Sequence, residues 1–268
     1  MRNAQSRKVY ANIHESPAEL CTEDVRTSND LDDRDDAFWS KRKLVYVCCS
    51  KVGSTVVRSL FERMNAPYLY LRHNKLILAQ ERRRRHRITS EAREDEQKIR
   101  SRSTLFVSRC PYARFVSSFL YLSNERFDGP KQLYLESLQI DVNSFDPFDY
   151  IEFLREEIKS EHYNRIIEHG FPQTYSYRSH VFKGQQIDIL WNNANLGKFI
   201  RVCNRYYRTR ERPNKRRNVN VLNPKMYLDL YRRNPRLMQV VREFYSDDFN
   251  WLNPVFDYES KFEVKLKV

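Results

Sequence analysis

Six consecutive apolar residues, Leu44-Val45-Tyr46-Val47-Cys48-Cys49, interrupt an otherwise polar N-terminal stretch. A short run apolar at every position predicts a strand buried on both faces, as in a parallel sheet. From Ser54 to Asn65 the pattern changes period. Val56, Val57, Leu60, Phe61 and Met64 recur at helical spacing, so a helix follows the strand directly. Thr104-Leu105-Phe106-Val107-Ser108 repeats the theme: a second buried strand, ended by Arg109, with Pro111 opening a helix where its missing N–H does no harm. That helix carries Phe115, Val116, Phe119 and Leu120 on one side. Further helices are predicted over residues 147–168, Pro224–Arg232 and Pro235–Tyr245, and a strand around Gln186–Leu190. Residues 74–103 read as one long basic helix, and residues 201–222 as a basic loop. Strands alternating with helices predict an α/β fold with a central parallel sheet flanked by helices, in a single domain over residues 41–256. Residues 1–40, with the acidic run Asp30 to Asp36, lack periodicity and read as a polar arm or short capping segment; residues 257–268 read as a tail.

Composition narrows the class. The 268 residues are 40% hydrophobic and 13% aromatic, enough for a packed core rather than a disordered chain. The net charge of +13 predicts attraction to polyanions, whether nucleic acid, anionic glycan or nucleotide. Five cysteines, an odd number without metal-ligand spacing, give no disulfide framework and no metal site. No segment reaches the roughly 18–20 apolar residues of a membrane span. Met1 to Ser40 lack the apolar stretch of a signal peptide.

Two segments carry candidate chemistry. The first is the loop Ser50-Lys51-Val52-Gly53-Ser54-Thr55 between strand and helix. Free N–H groups at a helix N-terminus favour an anion there. Gly53 admits close backbone approach, Ser54 and Thr55 add hydroxyl donors, and Lys51 adds a mobile charge. Lys51 precedes the glycine, so this is not the nucleotide-kinase loop, in which the lysine follows it. The second segment begins at Arg109, at the end of a buried strand, where ligands of open α/β sheets collect. Ser117 lies in the helix that follows.

Together these segments resemble the two donor-binding motifs of PAPS-dependent sulfotransferases, most closely the Golgi carbohydrate sulfotransferases of the chondroitin 4-O- and HNK-1-type family. The family's first motif, P-K-V-[GA]-C-T, is matched at Lys51, Val52, Gly53 and Thr55, with Ser50 and Ser54 in place of Pro and Cys. Its second is matched at Arg109, Pro111, Tyr112, Arg114, Val116, Ser117 and Phe119, with Ser108 inserted and Cys110 replacing an acid. Phe148 to Leu154 and Tyr245 to Trp251 echo two later stretches, and His169-Gly170-Phe171-Pro172-Gln173 is a reduced form of another.

The resemblance implies a P-loop-like sulfotransferase fold. In it Ser50 to Thr55 hold the 5′-phosphosulfate of PAPS, Arg109 and Ser117 hold its 3′-phosphate, and no metal takes part. It also implies a glycan acceptor, such as a glycosaminoglycan, and a Golgi location. Lys51 would neutralise the leaving oxygen. His73, between the two motifs, is the first candidate for the base that takes the acceptor proton, and His169 the second. Arg82 to Arg87 and the cations from Arg201 to Arg217 are either solvated faces or glycan contacts. Two alternatives remain open from sequence: a basic nucleic-acid-binding protein, for which no recognition signature is visible, and a sulfotransferase-like fold without activity.

Overall fold

A computed structural model describes residues 21–32, 34–66, 68–70, 75–77, 101–123, 146–159, 169–178, 186–210 and 224–267. The chain divides into two compact units. One comprises residues up to Ser108 and from Gln173 to Asn218; the other runs from Arg109 to Pro172 and from Val219 onward.

The first unit is built on a six-stranded sheet. In chain order its elements are β1 (Cys21–Thr27), α1 (Asp36–Trp39), β2 (Leu44–Cys48), α2 (Ser54–Met64), β3 (Tyr68–Tyr70), β4 (Lys75–Ile77), β5 (Ser103–Ser108), then α5 (Gln173–Arg178), β6 (Ile187–Asn192) and α6 (Leu196–Tyr206). The sheet order is β1-β6-β5-β2-β3-β4. Four pairings are parallel and β3–β4 is antiparallel. The architecture is therefore mixed α/β, a largely parallel sheet flanked by helices, as the alternation of strand and helix patterns predicts.

Every residue of β2 is buried, and five of the six in β5. That explains their unbroken apolar runs, because a strand covered on both faces has no polar side. Helix α2 buries Val57, Leu60 and Phe61, and the Phe61 ring lies 5.4 Å from that of Tyr46 on β2. On the same face, carried by β6, Trp191 joins Trp39 and Phe199 in a cluster with centroids 5.3–6.5 Å apart. Each is fully buried, and burial of such a ring stabilises by roughly 2–3 kcal/mol.

The second unit is helical: α3 (Pro111–Ser123), α4 (Pro147–Lys159), α7 (Pro224–Arg233), α8 (Pro235–Phe244), α9 (Ser246–Phe256) and α10 (Tyr258–Lys267). Helix α3 is buried on most of its circumference. Its Tyr112 ring packs on Tyr231, Phe249 and Phe262, with centroids 4.7–5.6 Å apart.

The structure differs from the sequence pattern in several places. Within residues 74–103, expected as one helix, Lys75–Ile77 is a strand paired with β3; the remainder to residue 100 is not described. A three-residue hairpin edge is too short to impose a period of two on the sequence. Residues 201–206, expected as loop, belong to α6. Phe199, Ile200, Val202 and Cys203 bury one face of that helix while its arginines stay outside, so charge obscured an amphipathic pattern. Strand β1 and helix α1 lie within the segment expected as an arm. Helix α10 lies within the expected tail.

Candidate functional site: the loop after strand β2

The loop is held where a parallel sheet collects ligands. The chain passes from β2 to its neighbour β3 on one side, and from β5 to its neighbour β6 on the other. Strands β2 and β5 are adjacent, so the connections diverge between them. In open α/β sheets the crevice outside the carboxyl ends of such strands is the usual binding place. The Ser50–Thr55 loop leaves the carboxyl end of β2, and Arg109 is the residue after β5.

Its backbone is unusual. Lys51 has φ +64° and Gly53 has φ +87°, whereas Val52 and Ser54 are not among the positive-φ residues. Alternating signs over four residues turn successive N–H groups onto one concave side, the arrangement that binds anions in phosphate loops. Gly53 is also the N-cap of α2 and has no side chain to occupy the first-turn N–H groups. A lysine in the left-handed region is strained by about 1 kcal/mol or more. Glycine at this position would relieve that strain.

Asn193 fixes this shape, and the sequence pattern did not single it out. Its Nδ2 donates to the Val52 carbonyl at 2.6 Å. Asn193 opens a short 3-10 turn after β6, itself tied down locally. The Asn192 side chain accepts from Ala194 N at 2.9 Å, and Trp191 Nε1 donates to the Asn195 carbonyl at 3.0 Å. A Cβ on Gly53 would stand 2.8 Å from Asn193 Nδ2 and 2.9 Å from Leu196 Cδ2. The cluster Asn192-Asn193-Ala194-Asn195 after a buried strand was the available signal, since asparagine bonds readily to nearby backbone.

Beneath the loop, Cys48 is buried with the Tyr46 and Ser54 hydroxyls beside its thiol. Burial, outweighing the nearby Arg58 charge, pushes that thiol up to about 12. It is a neutral packing group at physiological pH, not a nucleophile.

The other expected residues belong to the second unit. Arg109 is half-buried and Ser117 is 8% exposed. Burial pushes the Cys110 thiol up to about 11, so no negative charge stands where the resembling family carries an acid. Arg114 is fully buried and donates through Nη1 to the Phe171 carbonyl. Tyr245 Oη donates to the Gly170 carbonyl, while Asp248 and Phe249 are buried beside it in α9. Arg114 and Tyr245 are therefore core residues that grip the 170–171 backbone. His169 is half-buried, its ring 4.6 Å from that of Tyr121. His73 lies outside the described residues, as do Arg82 to Arg87 and Arg212 to Arg217.

Among the described residues no group of His, Cys, Asp and Glu is arranged to hold a metal, and no helix is long and apolar enough to cross a membrane. No family model, curated protein or solved structure matches the chain.

Proposed function

We propose that this chain is a carbohydrate sulfotransferase of the P-loop-like fold, moving a sulfuryl group from PAPS to a sugar hydroxyl of a glycan in the Golgi lumen. The observation that carries the reading is the strained lysine in the anion loop. Lys51 and Gly53 alternate in φ sign with their neighbours at the carboxyl end of β2, beside the point where the sheet connections diverge. A loop with this backbone favours a tetrahedral anion, and its lysine adds the charge that a departing phosphate needs.

The reaction is an in-line displacement. The acceptor oxygen forms a bond to sulfur as the bond from sulfur to the bridging phosphate oxygen breaks, and the acceptor proton leaves to a base. Negative charge grows on that bridging oxygen. Lys51 and the first N–H groups of α2 neutralise it without rearranging, the kind of fixed electrostatic stabilisation that dominates group-transfer catalysis. Arg109 and Ser117 are assigned the 3′-phosphate, and His73 or His169 the proton, on the strength of the motifs alone.

The test is transfer of radiolabelled sulfate from PAPS to a panel of desulfated glycosaminoglycans. Wild type should transfer to at least one acceptor, and Lys51→Ala should lose at least about a hundredfold in kcat, the scale seen when one transition-state donor is removed. Wild-type protein that neither binds PAP nor transfers sulfate would end the proposal.

A further inference from the structure

The first unit carries a second cationic feature, on the edge formed by the amino ends of the strands, at the opposite end of β2 from the Lys51 loop. Lys41 and Lys43 stand just before β2 begins at Leu44. The turn that holds them is tied to its surroundings. Ser103 N donates to the Lys43 carbonyl at 2.9 Å, and Arg42 Nη1 donates to Ser103 Oγ at 2.7 Å, so this turn adjoins the start of β5. Tyr207 Oη, just past the end of α6, donates to the Trp39 and Arg42 carbonyls, each at 3.4 Å. That contact brings Arg205, Arg208 and Arg210 to the same edge. All five of these Lys and Arg residues are exposed. Among the described residues the acid that pairs with them is Asp36, 3.3 Å from Arg205, and both partners of that pair are more than half exposed. An exposed pair of this kind is weak and readily exchanged.

We infer that this edge is a docking surface for an acidic polysaccharide, separate from the site of transfer. The five residues of β2 place it about 16 Å from the Lys51 loop along the strand, at about 3.3 Å per residue. A cation at that distance lies beyond the roughly 8 Å screening length of physiological salt and contributes little to charge at the loop. Its use is to retain a long polymer while another stretch of the same chain is presented elsewhere. Tethering of this kind raises the effective concentration of acceptor without any new contact at the reaction centre.

A single-stranded nucleic acid would want exposed aromatic rings to stack on. Here the aromatics are engaged: the Arg205 guanidinium lies 5.3 Å from the centre of the Tyr206 ring, and the Tyr207 hydroxyl is held by backbone. The choice of polysaccharide rests on the transferase reading above; the existence of a polyanion surface does not.

The test uses the full chain and four probes: chondroitin sulfate of defined length, single-stranded DNA and duplex DNA of matched charge, and PAP. The variant K41E/K43E/R208E/R210E should bind chondroitin sulfate at least about tenfold more weakly at physiological salt, with a shallower salt dependence, because fewer counterion-releasing contacts remain. Its melting temperature and PAP affinity should match wild type. K41R/K43R/R208K/R210K, which keeps every charge, should bind like wild type. If the fourfold variant melts early, K41E/K43E and R208E/R210E made separately carry the same comparison. Undiminished chondroitin sulfate binding by the charge-reversed proteins overturns the inference. Tighter binding of either DNA than of chondroitin sulfate at equal salt overturns the choice of partner. Wild type that binds chondroitin sulfate through these residues but not PAP supports the surface and removes the transferase reading.

Discussion

Replacing Gly53 by alanine tests how the Ser50–Thr55 loop is held. Position 53 has φ +87°, where an L side chain is strained by roughly 1–2 kcal/mol. The new methyl would stand 2.8 Å from Asn193 Nδ2 and 2.9 Å from Leu196 Cδ2. Leu196 can rotate away, but Asn193 can retreat only by releasing the Val52 carbonyl, which forfeits a hydrogen bond worth about 1 kcal/mol. The expected loss is roughly 2–3 kcal/mol, a fall in melting temperature of about 4–12 °C for a unit of this size. Differential scanning calorimetry on Gly53→Ala, Asn193→Ala and the double variant separates the contributions. With Asn193 already shortened, the added methyl meets only Leu196. The Gly53→Ala penalty should then be smaller by about 1 kcal/mol. An unchanged melting temperature, or equal penalties in both backgrounds, would refute the coupling of Asn193 to the loop.

Lys51→Gly should raise stability by about 1 kcal/mol by removing a side chain from the left-handed region, yet weaken PAP binding; a variant that loses both, measured by thermal shift and calorimetric titration, would contradict the strain argument. Stability should fall as pH rises from 9. The Cys48 thiol is held neutral up to about 12, so above its ordinary value of 9.0 the unfolded chain loses that proton first. The slope reaches about 1.4 kcal/mol per pH unit for this thiol, is absent below pH 9, and should shrink in Cys48→Ser; urea midpoints at pH 8 and 10 in the presence of reductant decide this. Gly170→Ala should destabilise the second unit by about 1–3 kcal/mol, because its Cβ would stand 2.3 Å from the Tyr150 hydroxyl and within 3 Å of Leu154. A melting temperature equal to wild type would show that α4 yields there.

The parts of the fold visible in the sequence are those where burial imposes a period. Strands β2 and β5 are covered on both faces and so appear as solid apolar runs; α2, α7 and α8 keep to within a residue of their expected bounds, and α3 opens at Pro111 as expected. Helix α6 was hidden because its buried stripe is narrow and its exposed face is crowded with arginines. Helix α9 was hidden because Pro254 sits inside it. The Ser50–Thr55 loop was legible as residue types, but its alternating backbone was not. Gly53 announces a positive φ by its identity; nothing about a lysine at 51 does. The asparagine cluster marks Asn193 as a turn former but not its partner: Val52 is 141 residues away, and only the sheet order brings the two together.

The sheet order also sets a schedule for synthesis. Among the described strands β1 pairs with β6 alone, Arg26 against Ile189, across more than 160 intervening residues. The chain emerges from the ribosome with β1 first and β6 last of the six strands. β2, β3, β4 and β5 can assemble while β1 waits without a partner. Such long-range parallel pairing is slow and leaves strand edges open meanwhile. Nascent chains stopped before Ile187 should therefore hold β1 accessible to protease and β5 with one bare edge. Completion of β6 closes both at once, making it the element on which the whole first unit depends for its final cooperativity.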